Sequence, residues 1–309
     1  MPAADDRVTV DPLVSAVTEA VADGGHRMTV GARALDPADW IAGGSDLDEQ
    51  LRERVRLLDA GAPVLAALDD TREAQDEVLA LLARHLPRYL PDHYRAGDAA
   101  TLAMAATGES VDVRAGQAMP FAVAGRLVAE DLCLMRADAA GAYRLVAAVL
   151  CFPTRWRLEE KLGHPMTTIH APVPGYAASI GLASDRLMAS LDANRPVWRH
   201  NWALMDSPRL HQPVWQPLPE PPDLGNLGHR LWLRTERQTL RRLPASGDVL
   251  FTIRIRQCTL DQALAVDGFA RRLARQVASM PPALKEYKGI AELEPMLRRH
   301  LAAQDRTGT

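Results

Sequence analysis

The sequence predicts an α+β fold: an antiparallel strand set interrupted by short helices, with a helical block before it and further helices after it. Three observations point there. Apolar residues recur at helical spacing through residues 36–100, the period shortens to that of strands from about Phe121, and helical spacing returns after Thr259. Neither an internal repeat nor a low-complexity block breaks this order.

Residues 1–10 read as a loose tail and residues 11–22 as a short helix. Gly24-Gly25 makes a turn into a strand over His26–Leu35, and Gly43-Gly44-Ser45 breaks the chain. Ser45 with Asp48 forms a capping-box pattern ahead of Leu47, Leu51, Val55 and Leu58. Pro63 opens a third helix. Asp70 or Thr71 caps a fourth, carrying Val78, Leu81, Leu82 and His85 on one face and ending by Pro91. Leu127–Met135 and Tyr143–Phe152 are strands joined through Ala139-Ala140-Gly141. Trp156–Leu162 suits a short helix, and residues 176–193 a longer one. Val197–Leu204, Leu231–Gln238 and Val249–Arg256 complete the strands. In the last, Val249, Phe251, Ile253 and Ile255 share one face, and Leu250, Thr252, Arg254 and Arg256 the other. Residues 205–228 carry six prolines and read as an ordered loop wrapped on the body. Thr259 and Gln262 cap a long helix through Ala263, Val266, Ala270, Leu273 and Val277, and a last helix covers 289–303. The expected division is a mainly helical region over 1–100 packed on an α+β core over 101–309, as one compact unit.

Composition narrows the function classes. A chain of 309 residues buries roughly 75% of its unfolded surface, so it needs no covalent staple. A net charge of -3 gives no pull toward nucleic acid or anionic membrane. Cys133, Cys151 and Cys258 are widely spaced with no CxxC, which argues against a zinc or iron–sulfur site and suits a reducing compartment. No signal peptide or apolar run of membrane-spanning length is visible, so the expected location is cytoplasmic, with no membrane and no nucleic-acid partner. There is no G-x-S-x-G, no GxGxxG after a strand, no Walker A and no H-E-x-x-H. Only Lys161, Lys285 and Lys288 are lysines, against 33 arginines.

The densest chemistry lies between Phe152 and Tyr176. It runs Phe152-Pro153-Thr154-Arg155-Trp156, then Glu160-Lys161-Leu162-Gly163-His164, then Ile169-His170-Ala171-Pro172-Val173-Pro174-Gly175-Tyr176. Proline fixes φ, so this histidine-bearing segment is held in one shape. Further along stand Arg199-His200-Asn201-Trp202, a run from Arg234 to Pro244, and Phe251-Thr252-Ile253-Arg254; Glu130-Asp131-Leu132 precedes them.

These motifs, in this order, resemble the haem-binding alpha subunit of haem-dependent oxidative N-demethylase over residues 30–300. The resemblance implies a PAS-like antiparallel sheet enclosing a haem pocket. It implies His170 as the axial ligand of haem b iron, with His200 and then His164 as alternatives; by itself His170 reads as a hydrogen-bonded structural histidine. Arg199, Arg234 and Arg254 become candidates for the haem propionates through bidentate contacts. Lys161 is a candidate for a propionate or a backbone carbonyl, or a cation at a helix end. Trp156 is core or pocket wall. Tyr176 could donate a hydrogen bond on the distal side.

Glu236 is the second focus. On a strand it shares a face with Trp232 and Arg234. A carboxylate beside an aromatic wall offers a small alkylammonium ion both charge pairing and a cation–π contact. An ion pair with Arg234 or Arg254 is the competing reading. The resemblance implies O2-dependent demethylation of a small secondary amine such as dimethylamine, releasing formaldehyde. Electrons would come from a separate flavin and iron–sulfur reductase subunit, and a folate-binding subunit would take up formaldehyde. The alternatives are a non-catalytic haem or small-ligand sensor on the same scaffold, and a haem-free relative with a different pocket.

Overall fold

A computed structural model describes residues 11–216 and 222–305. Among these residues ten strands form: β1 Arg33–Ala34, β2 Leu65–Ala67, β3 Tyr94–Ala96, β4 Thr101–Met104, β5 Ser110–Asp112, β6 Asp131–Ala137, β7 Tyr143–Val149, β8 Val197–Met205, β9 Trp232–Arg242 and β10 Val249–Thr259. Seven make an antiparallel sheet in the order β1-β8-β9-β10-β6-β7-β2; β3, β4 and β5 make a small second sheet. The helices are α1 Pro12–Thr18, α2 Leu47–Asp59, α3 Arg72–Tyr89, α4 Pro120–Leu127, α5 Met166–Ile169, α6 Leu182–Ser190, α7 Leu227–Arg230, α8 Leu260–Leu264, α9 Phe269–Ser279, α10 Pro282–Tyr287 and α11 Glu294–Asp305. The architecture is therefore α+β around one large antiparallel sheet.

Three apolar clusters sit around that sheet. In one, α2, α3 and α4 pack Leu51, Leu79, Leu82 and Phe121 against Leu132, Leu134 and Leu250. In a second, α1 and the C-terminal helices bury Val17, Phe269, Leu273 and Leu297 with Leu204, Leu233 and Cys258. In the third, an arm over residues 150–191 lays Leu158, Met188 and Leu191 on Cys133, Met135, Ala148 and Val249, with Trp156, Met166 and Ile169 alongside.

Register fixes what shares a face, because directly opposed residues of antiparallel strands point the same way. Asn201 lies opposite Glu236, which lies opposite Ile255; Arg199 lies opposite Gln238, and Ala203 opposite Arg234. Arg199, Asn201, Arg234, Glu236 and Gln238 therefore share one face. His200, Arg237 and Arg254 form a row on the other.

Several expectations need correction. No capping box forms at Ser45; Asp46 occupies the N-cap of α2 and gives its carboxylate to Arg254 and Gln50 instead. The segment after Pro63 is strand β2, paired with β7, because its apolar residues complete the sheet edge. The helical block is further interrupted by β3. The expected strand over His26–Leu35 shrinks to two residues, and the helix over 156–162 to a 3₁₀ turn at Leu158–Glu160. The capping box of Thr259 and Gln262 forms, but the long helix behind it is broken: α8 ends at Leu264, and Gly268, at φ +69, is the N-cap of α9. The helix expected over 176–193 opens as a π-turn, Ala177–Gly181, before α6. The tail at 1–10 and residues 217–221 of the proline-rich loop lie outside the described residues.

Candidate functional site

His170 caps α5 and is held from two directions. Its Nδ1 is 3.0 Å from the Met166 carbonyl oxygen, and its ring stacks on Tyr176 at 4.4 Å with only 12° between planes. A carbonyl can only accept, so Nδ1 carries the proton and the lone pair stands on Nε2. Burial lowers the ring's pKa and keeps it neutral. Gly175, at φ +75, turns the chain so that Tyr176 comes back over His170, with Met28 packed behind. The π-turn follows directly, an irregularity often found at functional positions.

Lys161 does what one of its three readings required. It donates to the carbonyl of Ile169 at 3.0 Å, so it pins the residue before His170. Trp156 packs, half-buried, on the third apolar cluster. Tyr176 is buried; its hydroxyl makes no hydrogen bond, Ser184 being close but outside bonding geometry. Burial pushes the phenol's pKa up, so it stays protonated and able to donate.

Glu236 is a half-buried acid of this face. Gln238 Nε2 donates to its Oε2 at 2.7 Å, and Asn201 Nδ2 donates to the same oxygen at 3.3 Å. Both bonds fall on one oxygen, and among the described residues Glu236 makes no ion pair. Three cations nevertheless feel its charge: Arg199, Arg234 and Lys288. Glu236 also acts on His170 and on Tyr287. Arg199 has a buried Nε without a hydrogen-bond partner.

Sequence reasoning missed Lys288, Asn201 and Gln238. β1 covers β8 only at Val197 and Trp198, so β8 is a free edge beyond them. Lys288, just past α10, closes that edge by donating to the Trp202 carbonyl at 2.6 Å, and its Nζ stands 3.5 Å from Asn201 Oδ1 and 5.4 Å from the Trp202 ring centroid. Burial lowers its pKa to about 8, with Glu236 opposing. The scarcity of lysine was the one signal pointing to it.

Two expected anion ligands are committed elsewhere. Arg254 is fully buried on the opposite face, where it pairs with Asp46 at 2.8 Å and bonds Gln50. It meets neither Glu236 nor the His170 arm. Arg234 shares the face of Glu236, but its guanidinium is consumed by Phe152 O at 2.8 Å, Leu210 O at 3.1 Å, Arg209 O at 3.2 Å and Thr154 Oγ1 at 3.2 Å. It ties two loops together. The proposed Glu236–Arg234 and Glu236–Arg254 ion pairs are both absent.

The other histidines differ in kind. His200 packs edge-on against Trp198 on the opposite face, where burial and then Arg237, Arg33 and Arg256 lower its pKa to about 4. His164 is exposed. His211 bonds the Cys151 carbonyl, and His229 pairs with Asp261. Two cavities are formed away from His170. One, of about 140 Å³, touches His200 and Arg254; the other, of about 660 Å³, lies beside Arg155, His211 and Trp232.

Among the described residues no three His, Cys, Asp or Glu side chains gather around a point that could hold a bare metal ion. Haem asks less of the chain, since the porphyrin supplies four ligands and one neutral imidazole suffices. The His170 lone pair and the unpartnered Arg199 Nε fit such a group. No helix of the described residues is long and apolar enough to cross a membrane. The profile of one protein family, described as haem-dependent oxidative N-demethylase, alpha subunit-like, matches residues 31–298. The chain belongs to that family.

Proposed function

We propose that the chain binds haem b between the arm bearing His170 and the sheet face bearing Glu236, in a PAS-like chamber, and oxidatively demethylates a small secondary amine there. The supporting observation is Glu236 itself: a half-buried carboxylate oriented by two neutral amides through one oxygen, with Oε1 left unbonded. A dialkylammonium ion is the complement of such an oxygen, which gives it a charge-assisted hydrogen bond. His170 would hold the haem iron through its Nε2 lone pair, and Arg199 would meet a propionate, being the candidate that remains after Arg234 and Arg254 are committed elsewhere.

Each residue then has a task. Met166 and Lys161 orient the imidazole through the α5 turn, directly and by way of the Ile169 carbonyl. Asn201 and Gln238 fix the Glu236 rotamer, and so the position of the bound amine. Tyr176 keeps its proton and holds the imidazole plane by stacking on it. Haem, when bound, supplies the O2 chemistry. For dimethylamine the balance is amine plus O2, two electrons and two protons, giving methylamine, formaldehyde and water. The two electrons come from outside this chain, in our reading from a flavin and iron–sulfur reductase subunit. A folate-binding subunit would take up the formaldehyde.

The test is reconstitution with haem, an absorption spectrum, and formaldehyde measurement with dimethylamine, O2 and a reductant. A Soret band with formaldehyde release supports the proposal. A Soret band that shifts with the amine but never yields formaldehyde marks a sensor, and no Soret band at all contradicts haem binding.

A further inference from the structure

The cleft of about 660 Å³ opens at the Trp232 end of the face that carries Glu236, and its walls are built at some cost. Glu236 lies four residues along β9 from Trp232, at the cleft's edge, a span of about 13 Å. One wall is the turn at Thr154 and Arg155, the other the loop Asp206–Gln216. Arg155 stands at φ +58, an unfavourable conformation for a residue with a side chain. Its backbone N–H donates to the Gln212 carbonyl at 2.6 Å, and Thr154 bridges to Gln212 alongside. Gln212 is buried and donates to the carbonyls of Ser207 and Arg209. Beneath both walls lies the guanidinium of Arg234, 1% exposed and bonded to neutral oxygens of each. A buried cation with neutral partners is unfavourable unless the geometry it holds is needed.

Among the described lining residues, Arg155 and Arg209 stand with one carboxylate, Asp206, which Arg155 engages at 2.8 Å. Among the described residues, Arg209 donates to a neutral amide, Gln216 Oε1, at 2.7 Å, and Arg155 Nε is buried with no partner. His211 and the half-buried Trp232 add flat surface, and the buried charge of Arg234 adds to the positive field. The volume falls in the range of small-molecule sites, about 300–1,000 Å³.

We propose that this cleft binds a planar organic anion, an aromatic ring bearing a phosphate or carboxylate, at a site distinct from the Glu236 carboxylate. The arginines take the anionic group and Trp232 takes the ring. Titration calorimetry with adenosine 5′-monophosphate and, separately, inorganic phosphate tests it. The nucleotide should bind with a submillimolar Kd, and phosphate at least tenfold more weakly. Affinity should fall as salt is raised. Arg209 is exposed, so Arg209→Glu should keep the melting temperature and haem loading while weakening the nucleotide at least tenfold. Haem-loaded and haem-free protein should bind it equally. The proposal is overturned if the nucleotide does not bind, if phosphate binds as well as the nucleotide, or if Arg209→Glu leaves its affinity unchanged. Competition from bound haem would also overturn it, by assigning the cleft to the cofactor. Haem loading is read independently from the Soret band, so this proposal and the demethylase reading can fail separately.

Discussion

Two regions of the molecule handle charge in opposite ways: the contact of α2 with the large sheet, and the stretch of sheet around Glu236. Where α2 packs on the sheet, buried arginines meet carboxylates: Arg254 pairs with Asp46 on the face opposite Glu236, and Arg54 of α2 pairs with Asp131, the first residue of β6, at 2.6 Å, with Arg54 and Arg254 both 0% exposed. In the other region, Glu236 is held by amides, Lys288 by a carbonyl, and Arg234 by carbonyls and a hydroxyl. Opposite charges there lie near one another without touching. Paired charges contribute to a fixed scaffold. Charges held by neutral dipoles keep their bonding capacity for something that arrives later, and this separates a stability region from a ligand region.

The largest expected effect tests the scaffold side. Arg54→Ala leaves Asp131 buried with only the N–H groups of Cys151 and Phe152 as partners, so unfolding free energy should drop by about 3–5 kcal/mol. Chemical denaturation reads this directly; a loss below about 1 kcal/mol would break the comparison. In the ligand region, Glu236→Gln should change stability by less than about 1 kcal/mol yet weaken alkylammonium binding by roughly tenfold to a hundredfold, the worth of a charge-assisted hydrogen bond. A melting curve beside an amine titration separates the two. Asn201→Ala, which removes one orienting amide, should cost only about 1 kcal/mol of amine affinity and leave the Soret band in place.

A smaller effect sharpens the picture through pH. The Lys288 pKa is lowered to about 8 in the folded chain from an ordinary 10.5. Between those values the unfolded chain holds a proton that the folded chain has released, so this lysine makes stability rise with pH across that window. The difference in unfolding free energy between the wild type and Lys288→Met, measured across the window, should carry that slope. Glu236 favours the charged lysine, so adding Glu236→Gln should extend the lower edge of the window to lower pH. A flat difference would mean that the Lys288 amine is solvated rather than enclosed.

Sequence periodicity carried the sheet well. The alternation from Val249 to Arg256 places Arg254 and Glu236 on opposite faces once the register is known, but register is a long-range property that local patterning does not contain. That is why Arg254 read as a site residue and proved to be a partner of Asp46, more than 200 positions earlier. Lys161 was legible as a choice among three roles, and the carbonyl of Ile169 decided it. Lys288 and Asn201 meet only because β8 has an unpaired edge, which no local motif announces. The strand after Pro63 was misread because Leu65–Ala67 is too short to show a period at all.

The most direct test of the central claim is the absorption spectrum of haem-loaded protein beside that of His170→Ala. The account predicts a Soret band for the wild type and, in the variant, its loss or a clear change of iron coordination, at nearly unchanged melting temperature. A variant spectrum identical to the wild type would place the iron on another residue and contradict the account.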